Sequence, residues 1–228
     1  ACGAKNPLSN ILRHTIGYSF RDMSFQVLSS PMEGLKGNGH MHALNTGAIL
    51  LDSMEWHIYQ KESGVSLDAR VANGPRNRMV TFQSELRASL TDTGANANLV
   101  FIDAKGKRRV DFGLAFNLLA DGVQVHFTPL NPVIAYRNFT LNEDNFICLS
   151  NKGHLAALVD LLADDGTGIK VYTTPNEEAQ QDISLSVNHF NVGELTKVIP
   201  FMPDISGFLH GDFHYMQADS LTTVSAEM

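Results

Sequence analysis

Two pairs among the nine histidines of this 228-residue chain have spacing that could do chemistry. His40 and His42, and likewise His210 and His214, share one face if their segments are β-strands, because successive side chains alternate between faces. Two imidazoles on one face can bind zinc or copper, but a site needs three or four converging donors. The nearby sequence supplies neither cysteine nor carboxylate at a diagnostic spacing, so both pairs read as strand-face histidines and no metal is expected. Asp164-Asp165-Gly166-Thr167-Gly168 resembles a fragment of a calcium loop. The rest of that loop's spacing and its terminal glutamate are missing, and a tight hairpin turn is expected instead. The glycine clusters elsewhere lack the strand-to-helix setting of a phosphate loop, and no Gly-x-Ser-x-Gly elbow occurs. Asn138-Phe139-Thr140 fits a glycosylation sequon but reads as a strand start. Cys2 and Cys148 signal neither a zinc framework nor a disulfide scaffold. No catalytic residue, cofactor or metal ligand is nominated, and the chain reads as non-enzymatic.

Bulk composition narrows the classes further. A formal net charge of −7 without any lysine or arginine run argues against nucleic acid and against an anionic membrane surface, since both need clustered positive charge. A hydrophobic fraction of 43% is enough for a real core, which excludes wholesale disorder. No apolar run approaches the ~20 residues of a membrane-spanning helix.

The elements that must position these residues are strands. Val65, Leu67, Ala69 and Val71 alternate with Ser66, Asp68 and Arg70 until Asn73-Gly74-Pro75 breaks the run. Val80, Phe82, Leu86 and Leu90 then oppose Thr81, Gln83, Glu85, Arg87 and Ser89. Val110, Phe112, Leu114, Phe116 and Leu118 repeat the pattern, and Val123, Val125 and Phe127 run back after Asp121-Gly122, a dipeptide suited to positive φ. Weaker alternation marks residues 23–27, 50–58, 95–101, 155–161 and 183–187, and residues 221–228 read as one more strand. Many of these runs exceed the usual ~5–6 residues. Only two segments, Pro7 to Ile16 and Val192 to Val198, have helical spacing. Leu8, Ile11, Leu12 and Ile16 form a stripe with Asn6 or Ser9 as cap, and Asn191 could cap a short helix holding Leu195, Val198 and Ile199, ended by Pro200 and Pro203.

The expected fold is therefore all-β, with long antiparallel strands in an extended, curled, groove-like sheet and one or two short helices. Residues 1–228 read as a single β-rich segment of a longer chain, with a soft boundary near residues 175–182. Under a consistent register, Phe25, Met54, Trp56, Phe82, Phe101, Phe112, Phe116, Phe127 and Phe213 share one apolar face, joined by Val80, Leu86, Leu114 and Val125. Such a face is either an ordinary closed core or an uncovered groove, and an uncovered groove attracts acyl chains because burial is worth about 25 cal/mol per Å².

The stretch Ile183-Ser-Leu-Ser-Val-Asn-His-Phe-Asn-Val-Gly-Glu-Leu-Thr-Lys-Val-Ile-Pro-Phe-Met-Pro-Asp-Ile-Ser-Gly-Phe-Leu-His-Gly-Asp resembles the repeat unit of the TamB family of AsmA-like bacterial envelope proteins. Its pattern is a strand, a short helix, a proline-flanked link, then Ile205-Ser206-Gly207 and Gly211 opening the next strand. Phe20-Arg21-Asp22-Met23-Ser24-Phe25, Asn73-Gly74-Pro75 and Asn131-Pro132-Val133-Ile134-Ala135-Tyr136-Arg137 are similar to other parts of such chains. The resemblance implies an internal segment of a large periplasmic protein of a Gram-negative bacterium, anchored in the inner membrane. It implies a β-taco fold whose hydrophobic groove serves phospholipid transport between the membranes and outer-membrane protein assembly. Phospholipid acyl chains would be the cargo, and the outer-membrane assembly machinery would be met through regions outside this segment. Two other readings stand beside it. One is a structural spacer with a closed β core, whose exposed edge strands pair with neighbouring segments or make the fragment self-associate. The other is a small barrel for one apolar ligand.

Overall fold

The computed structural model describes residues 2–3, 7–61, 64–77, 80–176, 179–194, 206–218 and 221–227. It is an antiparallel β protein, as the alternation predicts. Contacts divide the chain into two compact units, the first formed by residues 1–92 and 97–109, the second by residues 93–96 and 110–228. The strands that flank residues 175–182 pair with each other.

The first unit holds β1 (Cys2–Gly3), α1 (Pro7–Ile16), β2 (Asp22–Ser30), β3 (Gly34–Asn45), β4 (Leu50–Lys61), β5 (Gly64–Asn73), β6 (Phe82–Thr91) and most of β7 (Gly94–Asp103). From β2 to β6 the strands pair in sequence order. Each is held by the next through backbone hydrogen bonds, and the two-residue period of the side chains then carries across every pair. Val80 lies just before β6 and is not part of a strand. Helix α1 has the predicted bounds, begins on Pro7 and ends at Gly17, whose φ of +74° suits a residue without Cβ. Ser9 is no cap: it sits inside the helix and is buried, whereas Ile11 and Ile16 of the expected stripe are exposed. Asn6 lies outside the described residues.

The second unit holds most of β8 (Arg108–Leu119), then β9 (Gly122–Ile134), β10 (Arg137–Asn138), β11 (Thr140–Leu141), β12 (Phe146–Ser150), β13 (Leu155–Leu162), β14 (Gly168–Thr173), β15 (Gln181–Asn191), β16 (Phe208–Ala218) and β17 (Leu221–Glu227). The order of pairing is β8, β9, β12, β13, β14, β15, β16, β17, and the short β10 and β11 lie against β9 and β13. The β8–β9 hairpin forms where expected, but its turn differs. Neither Asp121 nor Gly122 has positive φ. Gly122 is instead required inside β9, where a Cβ would come within 2.2 Å of the Leu149 carbonyl oxygen. The run from Asp164 to Gly168 is a hairpin turn, with the Ala163 amide donating to the Thr167 carbonyl and Gly166 at φ +83°. Asn191 caps as predicted, its Oδ1 accepting from the Glu194 amide at 3.3 Å, and residues 192–194 are helical. Leu195, Val198, Ile199, Pro200, Pro203 and Ile205 lie outside the described residues.

Residues 135–145 run between β9 and β13 through the short strands β10 and β11, and this segment supplies two residues of the second unit's core. Ala135 and Tyr136 both adopt left-handed φ, which turns the chain between Ile134 and Arg137. Phe139 and Leu141 are thereby buried beside Val159, Leu161, Val187 and Phe190. Asn145, fully buried, stands in for a missing strand neighbour of Phe127. Its Oδ1 accepts from the Phe127 amide at 2.7 Å, and its Nδ2 donates to the Phe127 and Asn142 carbonyls at 3.3 and 2.9 Å. Asn145→Ala removes these partners while leaving backbone groups out of water, so it should destabilise the chain by about 2–4 kcal/mol. Urea unfolding checks this, and a loss below about 1 kcal/mol would show that solvent reaches those groups.

Candidate functional site

In the first unit the register lines up Phe25, Gly39, Trp56, Ala69 and Leu86 across five strands. Met23, Met41, Met54 and Val71 form a parallel row, and the same face takes Val27, Ile58 and Leu67. Gly39 is what lets the central aromatic lie down. A Cβ there would be 2.4 Å from the Trp56 indole, so the ring occupies space that any other residue would fill. Phe25 approaches Trp56 with ring centroids 6.4 Å apart. This face is not a closed core: Phe25 is 56% and Leu90 61% exposed, and Met54, Trp56 and Leu86 are only half-buried. Among the nominated residues of this unit, Phe82 and Phe101 alone are fully buried, stacked 4.9 Å apart with Arg109 5.8 Å from the Phe101 ring.

In the second unit the corresponding rows are Phe116–Val125–Ile147–Ala157 and Val159–Val171–Leu185–Phe213, with Leu114 opposite Phe127. On this face lies a partly open cavity of about 280 Å³. Ten side chains line it: Phe112, Phe127, Ile134, Leu141, Ile147, Val159, Leu161, Ile169, Val171 and Phe190, all of them apolar. Phe112 and Phe127 meet there with centroids 5.8 Å apart. Of the residues nominated from the sequence, only these two line the cavity; Leu114, Val125 and Phe213 lie on the same face beyond it, and Phe116 is exposed at 36%.

The other eight lining residues were missed for two reasons. Seven are aliphatic positions within alternating runs or short strands, where emphasis on aromatics passed over them. Phe190 breaks the alternation itself. A bulge between Val187 and Phe190, with His189 at φ +46°, shifts the parity of β15 by one and swings Phe190 onto the core face, where its ring stacks on Phe139 at 6.3 Å. Arg137, within the 135–145 segment, ties it to the neighbouring turn, donating to Asp165 Oδ2 at 2.8 Å and to Thr167 Oγ1 at 2.5 Å, with Glu194 at 3.5 Å.

The histidine pairs have different fates. His210 and His214 do not converge: His210 packs beside His189, while His214 bonds Asp182 at 2.8 Å. His40 and His42 do share a face, and the carboxylate that the nearby sequence lacked comes from β2. Asp22 Oδ1 lies 2.6 Å from His42 Nδ1 and 3.6 Å from His40 Nε2. Arg21 Nε donates to the other carboxylate oxygen at 3.1 Å. Hydrogen bonds from His42 and then Arg21 hold the Asp22 carboxyl below its ordinary value.

No protein-family model, characterised protein or solved structure matches this chain.

Asp182 offers a pH test of the second unit. Hydrogen bonds from His214, then Asn176, lower its carboxyl below the ordinary 3.8. Folding thus favours the ionised form, and this contribution is complete above that value and fades as pH falls through the lowered one. Urea midpoints measured down through the acid range should fall less steeply in Asp182→Asn than in the parent chain. Parallel curves would mean that the His214 contact contributes nothing to stability.

Proposed function

We propose that this chain is a non-enzymatic module that shelters hydrocarbon chains against an apolar β-sheet face. The reading rests on one observation, the cavity in the second unit that is lined by ten apolar side chains and no polar one. Such a lining offers no directional bond, so it selects by exclusion from water alone. Its volume lies just below that of ligand pockets, roughly 300–1,000 Å³, and suits part of one acyl chain rather than a whole lipid. Each buried methylene contributes about 0.8 kcal/mol. Association costs about 4–15 kcal/mol, so a short hydrocarbon would not be retained while a long one would.

The resemblance to TamB-like chains adds context: a periplasmic segment of an inner-membrane-anchored protein that passes phospholipid acyl chains toward the outer membrane. The half-exposed rows around Trp56 support this reading, because a spacer with a closed core would bury them.

Native mass spectrometry with lipid extraction tests the proposal on the full chain and on a variant carrying Val159→Phe and Val171→Phe, which fills the cavity with apolar volume. Acyl lipid should accompany the parent chain and fall at least about tenfold in a variant that remains folded by far-UV circular dichroism. A parent chain that carries no acyl lipid and binds no added long-chain fatty acid would overturn the proposal. Equal lipid in the filled variant would remove the cavity from it.

A further inference from the structure

We propose that Asp22, His40 and His42 form a binding site for a zinc-class divalent metal ion on the polar face of the first unit. Three donors from two adjacent strands converge there, their ligating atoms all lying within 4.8 Å of one another. The register produces this convergence. Asp22 pairs with His42 across β2 and β3, and His40 lies two residues away on the same face of β3. The two imidazole rings have centroids 5.0 Å apart.

The chemistry of the donors selects the ion. Two imidazole nitrogens and one carboxylate oxygen suit zinc and its first-row neighbours, whereas calcium and magnesium take oxygen shells. Bonds of about 2.0–2.2 Å at a tetrahedral centre place donors roughly 3.3–3.5 Å apart. The 3.6 Å between Asp22 Oδ1 and His40 Nε2 is already near that spacing. The 2.6 Å hydrogen bond between Asp22 and His42 must open by somewhat less than 1 Å, within reach of side-chain rotation. Arg21 engages Oδ2 of Asp22, leaving Oδ1 as the donor aimed at both rings. All three side chains are partly exposed, so an ion can enter without unfolding.

A fourth donor stands in register. Glu55 of β4 is the direct cross-strand partner of His40. Directly opposed residues have Cβ atoms about 4.5–5.5 Å apart on the same face, which allows its carboxylate to close the shell. A bound ion would then tie β2, β3 and β4 together on the face opposite Trp56.

Titration of the tag-free full chain with Zn²⁺ by calorimetry, and with Co²⁺ by visible absorption, tests the site. One ion per chain is expected, with a rise in melting temperature. Asp22→Asn and His42→Ala should each weaken binding at least about tenfold, and Glu55→Gln should weaken it less. His210→Ala should leave it unchanged and controls for ions held elsewhere. Zn²⁺ binding absent up to about 1 mM, which corresponds to only about 4 kcal/mol of affinity, would overturn the proposal. So would equal binding by Asp22→Asn and His42→Ala variants that remain folded by circular dichroism.

Discussion

Everything in this structure depends on the coupling between the two-residue period of a strand and in-register antiparallel pairing. Each strand alone divides its side chains between two faces; pairing copies that division onto the next strand. In the first unit the copying runs unbroken from β2 to β6. Phe25, Trp56 and Leu86 therefore fall in one row, and Ser24, His40, Glu55, Arg70 and Glu85 fall in the adjacent row on the opposite face. A register slip of one residue would exchange the two faces entirely. The cross-strand sequence Glu55–Arg70–Glu85 alternates in charge, which opposes such a slip because shifted pairing would remove those matches.

The two units use the same period to different ends. In the first, the apolar face has few fully buried residues, and Gly39 lets an indole spread over the strand in place of a second packed layer. In the second, the chain buries a cluster on that face. The segment through Phe139, Leu141 and Asn145 runs between β9 and β13, and the polar atoms of Asn145 bond the Phe127 backbone just beyond the last β9–β12 pair. A cavity lies beside the cluster and shares Leu141, Val159, Leu161 and Phe190 with it. Arg137 ties this segment to the Asp164–Gly168 turn by bonding the Asp165 carboxylate and the buried Thr167 hydroxyl.

What the sequence made legible was period, and what it concealed was interruption. The alternation of Val65 to Val71, and of Val110 to Leu118, assigned strands and faces because nothing broke it. The positions that escaped are those where parity changes or a partner comes from elsewhere. Phe190 follows a bulge, Val80 precedes the strand it was counted in, and Asp22 reaches His42 from twenty residues away through pairing. Helix α1 was legible in its bounds but not in its burial, since an amphipathic stripe announces an apolar side without saying what covers it. The glycines misled in a different way. Gly122 looked like a turn residue and proved to be a contact residue, because a missing side chain serves close approach as well as unusual φ.

Trp56 is the sole tryptophan of the chain, and it lies flat on the apolar face over Gly39. Indole emission shifts with the polarity of its surroundings, so the molecule carries a built-in optical gauge at the centre of the surface in question. Wetting, coverage by another sheet, or contact with hydrocarbon each changes the colour of one ring, with no label attached and no other indole to confuse the signal.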